Sequence, residues 1–136
     1  MNKLFKAVLS AESLHAREKQ REILFLQAYD TLCREMLAYL ESRPGLVVQV
    51  IQYMGGYTFH VKVSTQIFTL ALHRNASSRE VSLRVNSEEG RNSVQIGLKS
   101  CSQGGWRIVN INYNRLMYLR RRFRKEMLED FMVYLV

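Results

Sequence analysis

Only one proline, Pro44, and two cysteines, Cys33 and Cys101, occur in this sequence, and no apolar run reaches the roughly twenty residues of a spanning helix. The cysteines are far apart and stand in no Cys-x-x-Cys or Cys/His ligand spacing, so neither a zinc site nor a redox pair is indicated. The N-terminal stretch MNKLFKAVLSAESLHARE has a short apolar run that Lys6 breaks and polar residues soon follow, so no signal peptide is read there. The expected setting is reducing, intracellular and cytoplasmic, and in it the sequon Asn75-Ala76-Ser77 carries no weight.

Catalytic signatures are missing too. No Gly-x-Gly-x-x-Gly, Walker loop, Gly-x-Ser-x-Gly or His-Glu-x-x-His is present, and the acidic residues fall mainly in helical stretches and in Glu88-Glu89 instead of converging from strand ends. Of the three histidines, His15 lies on a helix surface. His60 and His73 belong to adjacent strands and could share a face, but no Asp, Glu or Cys joins them to complete a site. The expectation is a non-enzyme with no catalytic residues, no metal and no cofactor.

What the chain does have is a formal charge of +8 on 136 residues, with 47% of them apolar: enough for one domain, 1–136, with its own core. A field of that sign favours polyanions. Within Glu12 to Glu41, Leu26, Tyr29, Leu32, Cys33, Met36, Leu37 and Leu40 recur at spacings of three and four, predicting a long amphipathic helix capped by Ser10 or Ser13 and stopped by Arg43-Pro44-Gly45. A short leading helix over Met1 to Leu9 is a separate expectation. The polar turn REKQRE, Arg17 to Glu22, projects into solvent or fits something outside the chain.

After Pro44 the period changes to two. LVVQVIQY and YTFHVKVS flank Met54-Gly55-Gly56; a Gly55-Gly56 loop would set Val50 opposite Val61 and Val48 opposite Val63, with His73 later opposite Thr58. IFTLALH, EVSLRV, SVQIGLK and WRIVNI continue the alternation, placing Phe68, Leu70, Leu72, Val81, Leu83, Val85, Val94, Ile96, Leu98, Trp106 and Ile108 inward. The fold class is α+β: helix over 1–43, about six antiparallel strands over 46–111 as a meander or half-barrel, and a C-terminal amphipathic basic helix over 112–136.

In that last helix Leu116, Leu119, Phe123, Met127 and Tyr134 share one side and Arg121, Arg122, Arg124 and Lys125 the other, with Asn112 or Asn114 as N-cap. Two readings stand: a solvated back face neutralised by Glu126, Glu129 and Asp130, or a phosphate-binding stripe of Arg115, Arg120, Arg121, Arg122, Arg124 and Lys125. Lys62, Arg84, Lys99 and Arg107 add cations to the open sheet face, where Tyr53 is the one good stacking residue, so backbone or shape recognition is favoured over the reading of unpaired bases. The expected function is therefore a small basic protein bound to nucleic acid, DNA or RNA, or to a nucleoprotein complex. A protein-interaction module is the alternative, as a homo-oligomer or as an inhibitor or adaptor of a nucleic-acid enzyme. It would use Phe131, Met132, Tyr134 and Leu135 at the apolar terminus and Ile51 and Tyr53 on the sheet, unless the terminus completes the intrachain core. An anionic membrane surface is a third partner class.

Overall fold

The structure, a computed structural model, describes all residues except 1, 54–55, 76, 91, 113–117 and 119. The elements run α1 (Lys3–Ser42), β1 (Leu46–Tyr53), β2 (Gly56–Val63), β3 (Gln66–Asn75), β4 (Glu80–Ser87), β5 (Ser93–Ser100), β6 (Trp106–Ile111) and α2 (Met127–Leu135). The six strands form one open antiparallel sheet in chain order, the meander.

The two N-terminal helices expected from the sequence are one. Asn2 caps it, its Oδ1 accepting from the Phe5 N–H at 2.8 Å, and with neither glycine nor proline before Pro44 nothing ends it until Arg43. The two halves of this helix differ. Phe25, Tyr29, Leu32, Cys33, Met36 and Leu40 are buried on the sheet, whereas every residue from Lys3 to Leu24 is exposed. That exposed part is about 33 Å long at 1.5 Å per residue. Its tie to the sheet is Glu18, which accepts from Arg79 in the turn between β3 and β4.

The inner sheet face is the alternating set. Phe59, Val61, Leu70, Leu72, Leu83, Ile96, Leu98 and Ile108 have at most 1% of their surface exposed, and α1 and α2 close over them. Burying each such side chain stabilises the fold by about 1.5–3 kcal/mol. Polar atoms in this layer are satisfied: the Tyr29 hydroxyl donates to the Leu72 carbonyl at 2.8 Å. Burial also pushes the neighbouring Cys33 thiol up to about 12, which leaves it unreactive at neutral pH.

One register differs from expectation. Val48 pairs with Val61 and Val50 with Phe59, so Tyr53 faces Gly56 and Gly56 belongs to β2 instead of to a Gly55-Gly56 loop. A slip of two residues preserves the faces. Its cause is visible at Gly56, a strand residue lying under the Tyr53 ring: a Cβ there would come within 2.5 Å of the Leu72 carbonyl oxygen and 2.9 Å of the Tyr53 hydroxyl.

Candidate functional site

The C-terminal helix is where expectation and structure part. It begins at Met127, not at Asn112. Residues 120–123 lie along the free edge of β6 instead: Arg120 N–H donates to the Ile108 carbonyl at 2.7 Å, Ile108 N–H to the Arg121 carbonyl at 2.9 Å and Phe123 N–H to the Trp106 carbonyl at 2.7 Å, with Arg122 bridging Arg107. Two forces favour this over a helix. A helix would set Arg120 against Arg124, Arg121 against Lys125 and Arg122 against Lys125 at spacings of three and four, where like charges repel. The strand edge also offers unpaired backbone groups, and Phe123 drops into the core from it.

Arg120 and Arg121 both oppose Ile108, which makes a β-bulge, and Arg120 takes φ +66° in its left-handed position. Arg122 follows on the outer face. Its Nη2 donates to the Gly104 carbonyl at 2.5 Å, and its guanidinium lies so close over Gly105 that a Cβ there would be 2.7 Å from Nε. A Cβ there would have to push the Arg122 end aside, and both turn glycines have positive φ, which is what favours glycine.

Register then aligns the cations. Glu80 faces Lys99, Lys99 faces Arg107 and Arg107 faces Arg122, so three positive side chains lie in one row across β5, β6 and the added edge segment. Like charges directly opposite across strands are unfavourable, by about 0.2–1 kcal/mol a pair. Among the described residues the ion pairs are Arg21–Glu18, Arg34–Asp30, Arg43–Glu129 and Arg79–Glu18, and none engages Lys99, Arg107, Arg120, Arg121, Arg122, Arg124 or Lys125.

The next row on the same face is Tyr53, Gly56, His73, Ser82, Gly97 and Asn110. Its small residues sink it, and a shallow groove of about 620 Å³ lies over His73, Ser82, Gln95, Gly97 and Asn110. The row beyond contains Ala71, Arg84 and Gln95, about 14 Å along the strands from the Lys99 row. At the groove's end the Tyr53 hydroxyl and His73 Nε2 are 3.0 Å apart, their rings edge to face. The surface is a polar trough with Lys99 and Arg107 on one bank, Arg84 on the other and the Glu80 carboxylate in its lining.

The remaining sequence candidates fall as follows. Arg120, Arg121 and Arg124 are exposed and Lys125 is half-buried, all at this edge; Arg115 lies outside the described residues. Arg84 is exposed and its Nε donates to Asn86 Oδ1 at 3.3 Å. Lys62 is exposed on β2, four strands away, so it belongs to a different part of the face. His73 faces Gly56 and Ser82 while His60 faces Gln49 and Thr69, so the two histidines do not meet; among the described residues no cluster of His, Cys, Asp or Glu has the geometry of a metal site.

Phe131 and Met132, read as partner residues, are buried in the chain's own core; Leu135 is half-buried, Tyr134 is 44% exposed, and Ile51 and Tyr53 stand exposed on β1. The sequence reading missed the ties from α2 back into the chain, Tyr39 hydroxyl to Glu129 Oε1 at 3.1 Å and Tyr118 hydroxyl to Asp130 Oδ2 at 3.0 Å. It also missed the sunken row, which a correct hairpin register would have revealed as Gly56, Ser82 and Gly97 in line.

Fold and site together define a helix-backed open-sheet domain with a basic edge. Comparisons with family models, with curated proteins and with solved structures give no match to this chain. No helix among the described residues is long and apolar enough to cross a membrane.

Proposed function

We propose that the protein is a non-enzymatic binding protein that docks on nucleic acid, or on a nucleoprotein complex, through the basic edge of its sheet. The observation that carries this reading is the row Lys99, Arg107 and Arg122, continued by exposed Arg120, Arg121 and Arg124, with no carboxylate bonded to it among the described residues. A row of opposed cations opposes folding, and an external polyanion relieves it. Guanidinium forks pair with phosphate oxygens, and the trough beside them supplies amide and hydroxyl groups for sugar or base edges. Arg122, bonded to Gly104, serves as a fixed anchor; Arg107, Arg121 and Arg124 are free to turn toward phosphates.

Changing Arg107, Arg121 and Arg124 together to Ala removes exposed side chains that make no hydrogen bond within the described fold. Binding to duplex DNA or structured RNA is expected to weaken, and the slope of log affinity against log salt to fall by about 2–3. Equal affinity and equal slope for wild type and variant at low salt would refute the assignment. A second reading, a protein-interaction module, is supported by a separate observation: the exposed apolar side chains Val47, Ile51 and Tyr53 on β1, at the opposite edge.

A further inference from the structure

The two edges of the sheet are not alike. β6 is covered from Trp106 to Ile108 by residues 120–123 of the same chain, whereas among the described residues β1 pairs with β2 alone. Eight residues long, β1 therefore presents about 27 Å of unpaired backbone on its outer side. The devices that blunt exposed edges are missing from LVVQVIQY: it has no proline, no lysine, no inward charge and no bulge against β2. Leu46 and Val48 pack partly against the core, and the rest of the strand is exposed: Val47 is 67% and Ile51 44% exposed outside, and Val50 is 38% exposed inside.

Charge identifies the occupant. β1 is the one strand without a charged residue: Lys62 lies on β2, Arg74 on β3, Glu80 and Arg84 on β4, Lys99 on β5 and Arg107 on β6. In a chain of net charge +8, an acidic partner gains more at the charged strands, and a like-charged copy meets less repulsion at this strand than at any other. The strand is also self-complementary. Centred on Gln49 and run antiparallel to itself, it sets Val47 against Ile51 and Val48 against Val50, twice each by symmetry, and the Gln49 amide against its own copy. Centring on Val50 would set Gln49 against Ile51 and Val48 against Gln52, two kinds of amide–apolar pair where the first register has one, Leu46 against Gln52. Apolar cross-strand pairs on both faces favour the first register.

We infer that β1 is the seat of a homodimer, pairing antiparallel with β1 of a second copy about a twofold axis at Gln49, so that the two sheets join into one. Each copy contributes the same strand, so the contact closes on itself and growth stops at two. The basic edges end up at the two far sides of the joined sheet, pointing away from each other. The pairing is independent of whether those edges bind nucleic acid, and the salt responses are opposite. Screening of the mutual repulsion between copies strengthens the dimer as salt rises, while phosphate binding weakens.

The test is sedimentation equilibrium of the full chain from about 1 to about 200 µM at low and moderate salt. The expected result is a species of twice the 16.0 kDa chain mass, tighter at the higher salt. Changing Val47 and Ile51 to Lys puts lysines opposite lysines at two places and is expected to raise the dissociation constant at least about 100-fold, with the circular dichroism spectrum unchanged. In a Cys101→Ser background, Gln49→Cys brings two thiols into disulfide range at the axis and is expected to give a covalent dimer on mild oxidation. A monomer at every concentration overturns the proposal. So does a dimer that the two lysines leave intact, which would move the contact to the exposed half of α1. Failure of the Gln49→Cys pair to cross-link overturns the register.

Discussion

At the β6 edge the chain spends its own backbone on closing the sheet, and at the β1 edge it does not. The closing segment is the most basic stretch of the molecule and the open strand is the one with no charge at all. The layers beneath follow the same division. Under β6 the contact is aromatic, Phe25 against Trp106 with ring centres 6.2 Å apart, and Phe123 is buried in the same core. At the start of β1, the end of α1 is held to α2 by polar contacts, Tyr39 and Arg43 both donating to Glu129. An edge closed by packing is fixed, and an edge left apolar and unpaired is available. On the two proposals made above, the difference separates the edge that would take a polyanion from the edge that would take another β-strand.

The largest effect expected from breaking this contrast is at Phe123. It is 8% exposed and is the apolar anchor that keeps residues 120–123 on β6. Phe123→Ala is expected to lower unfolding stability by about 3 kcal/mol, the low end for a buried aromatic because the site is at a margin where neighbours can relax. Urea denaturation measures this. Loosening the segment also bares the β6 edge, so the variant has two open edges instead of one. Light scattering is expected to find assemblies beyond the dimer, since unlike edges that pair head to tail need not close.

What the sequence could tell follows from which interactions are local. The strands were legible because an alternating period needs no knowledge of neighbours, and the burial of Phe68, Leu70, Leu72, Leu83 and Leu98 follows it residue by residue. The hairpin register was not, because it turned on a ring over Gly56 in place of glycine in the loop. The basic stretch read as a helix for a similar reason: a wheel registers the period of Phe123 and Met127 but not the free edge of β6, eleven or more residues away. The cations can be named from the sequence, yet their alignment exists only across strands, as Lys99, Arg107 and Arg122. At the C-terminus Phe131 and Met132 are buried in the core, while Leu135 is half-buried and Tyr134 exposed.

A smaller effect sharpens the comparison at the β1 side. Glu129→Gln keeps the shape but removes the charge that Arg43 and Tyr39 engage. Both ion-pair side chains are more than a third exposed, 45% for Arg43 and 37% for Glu129, so the expected loss is below about 1 kcal/mol and shrinks further in high salt. A loss as large as that at Phe123 would mean the β1 side is held as firmly as the β6 side, and the contrast between the edges would lapse. Thermal melts at two salt concentrations separate these outcomes.

The smallest effect is at the bulge, and it runs toward stability. Arg120 has φ +66°, a left-handed conformation that costs a residue with a Cβ about 1–2 kcal/mol and glycine almost nothing. Glycine gives back about 0.5–1 kcal/mol through the greater freedom of the unfolded chain. Arg120→Gly is therefore expected to stabilise the fold by about 0.5 kcal/mol, read as a small rise in urea midpoint with the slope unchanged. Under the nucleic-acid reading the same change removes one cation and lowers the salt slope of binding by about one phosphate's worth. Stability up and affinity down in one variant would mean that arginine is kept at a strained position for what it binds. Stability up with affinity unchanged would leave Arg120 outside the interface and confine the phosphate contacts to the row of Lys99, Arg107 and Arg122 and the exposed arginines after the bulge.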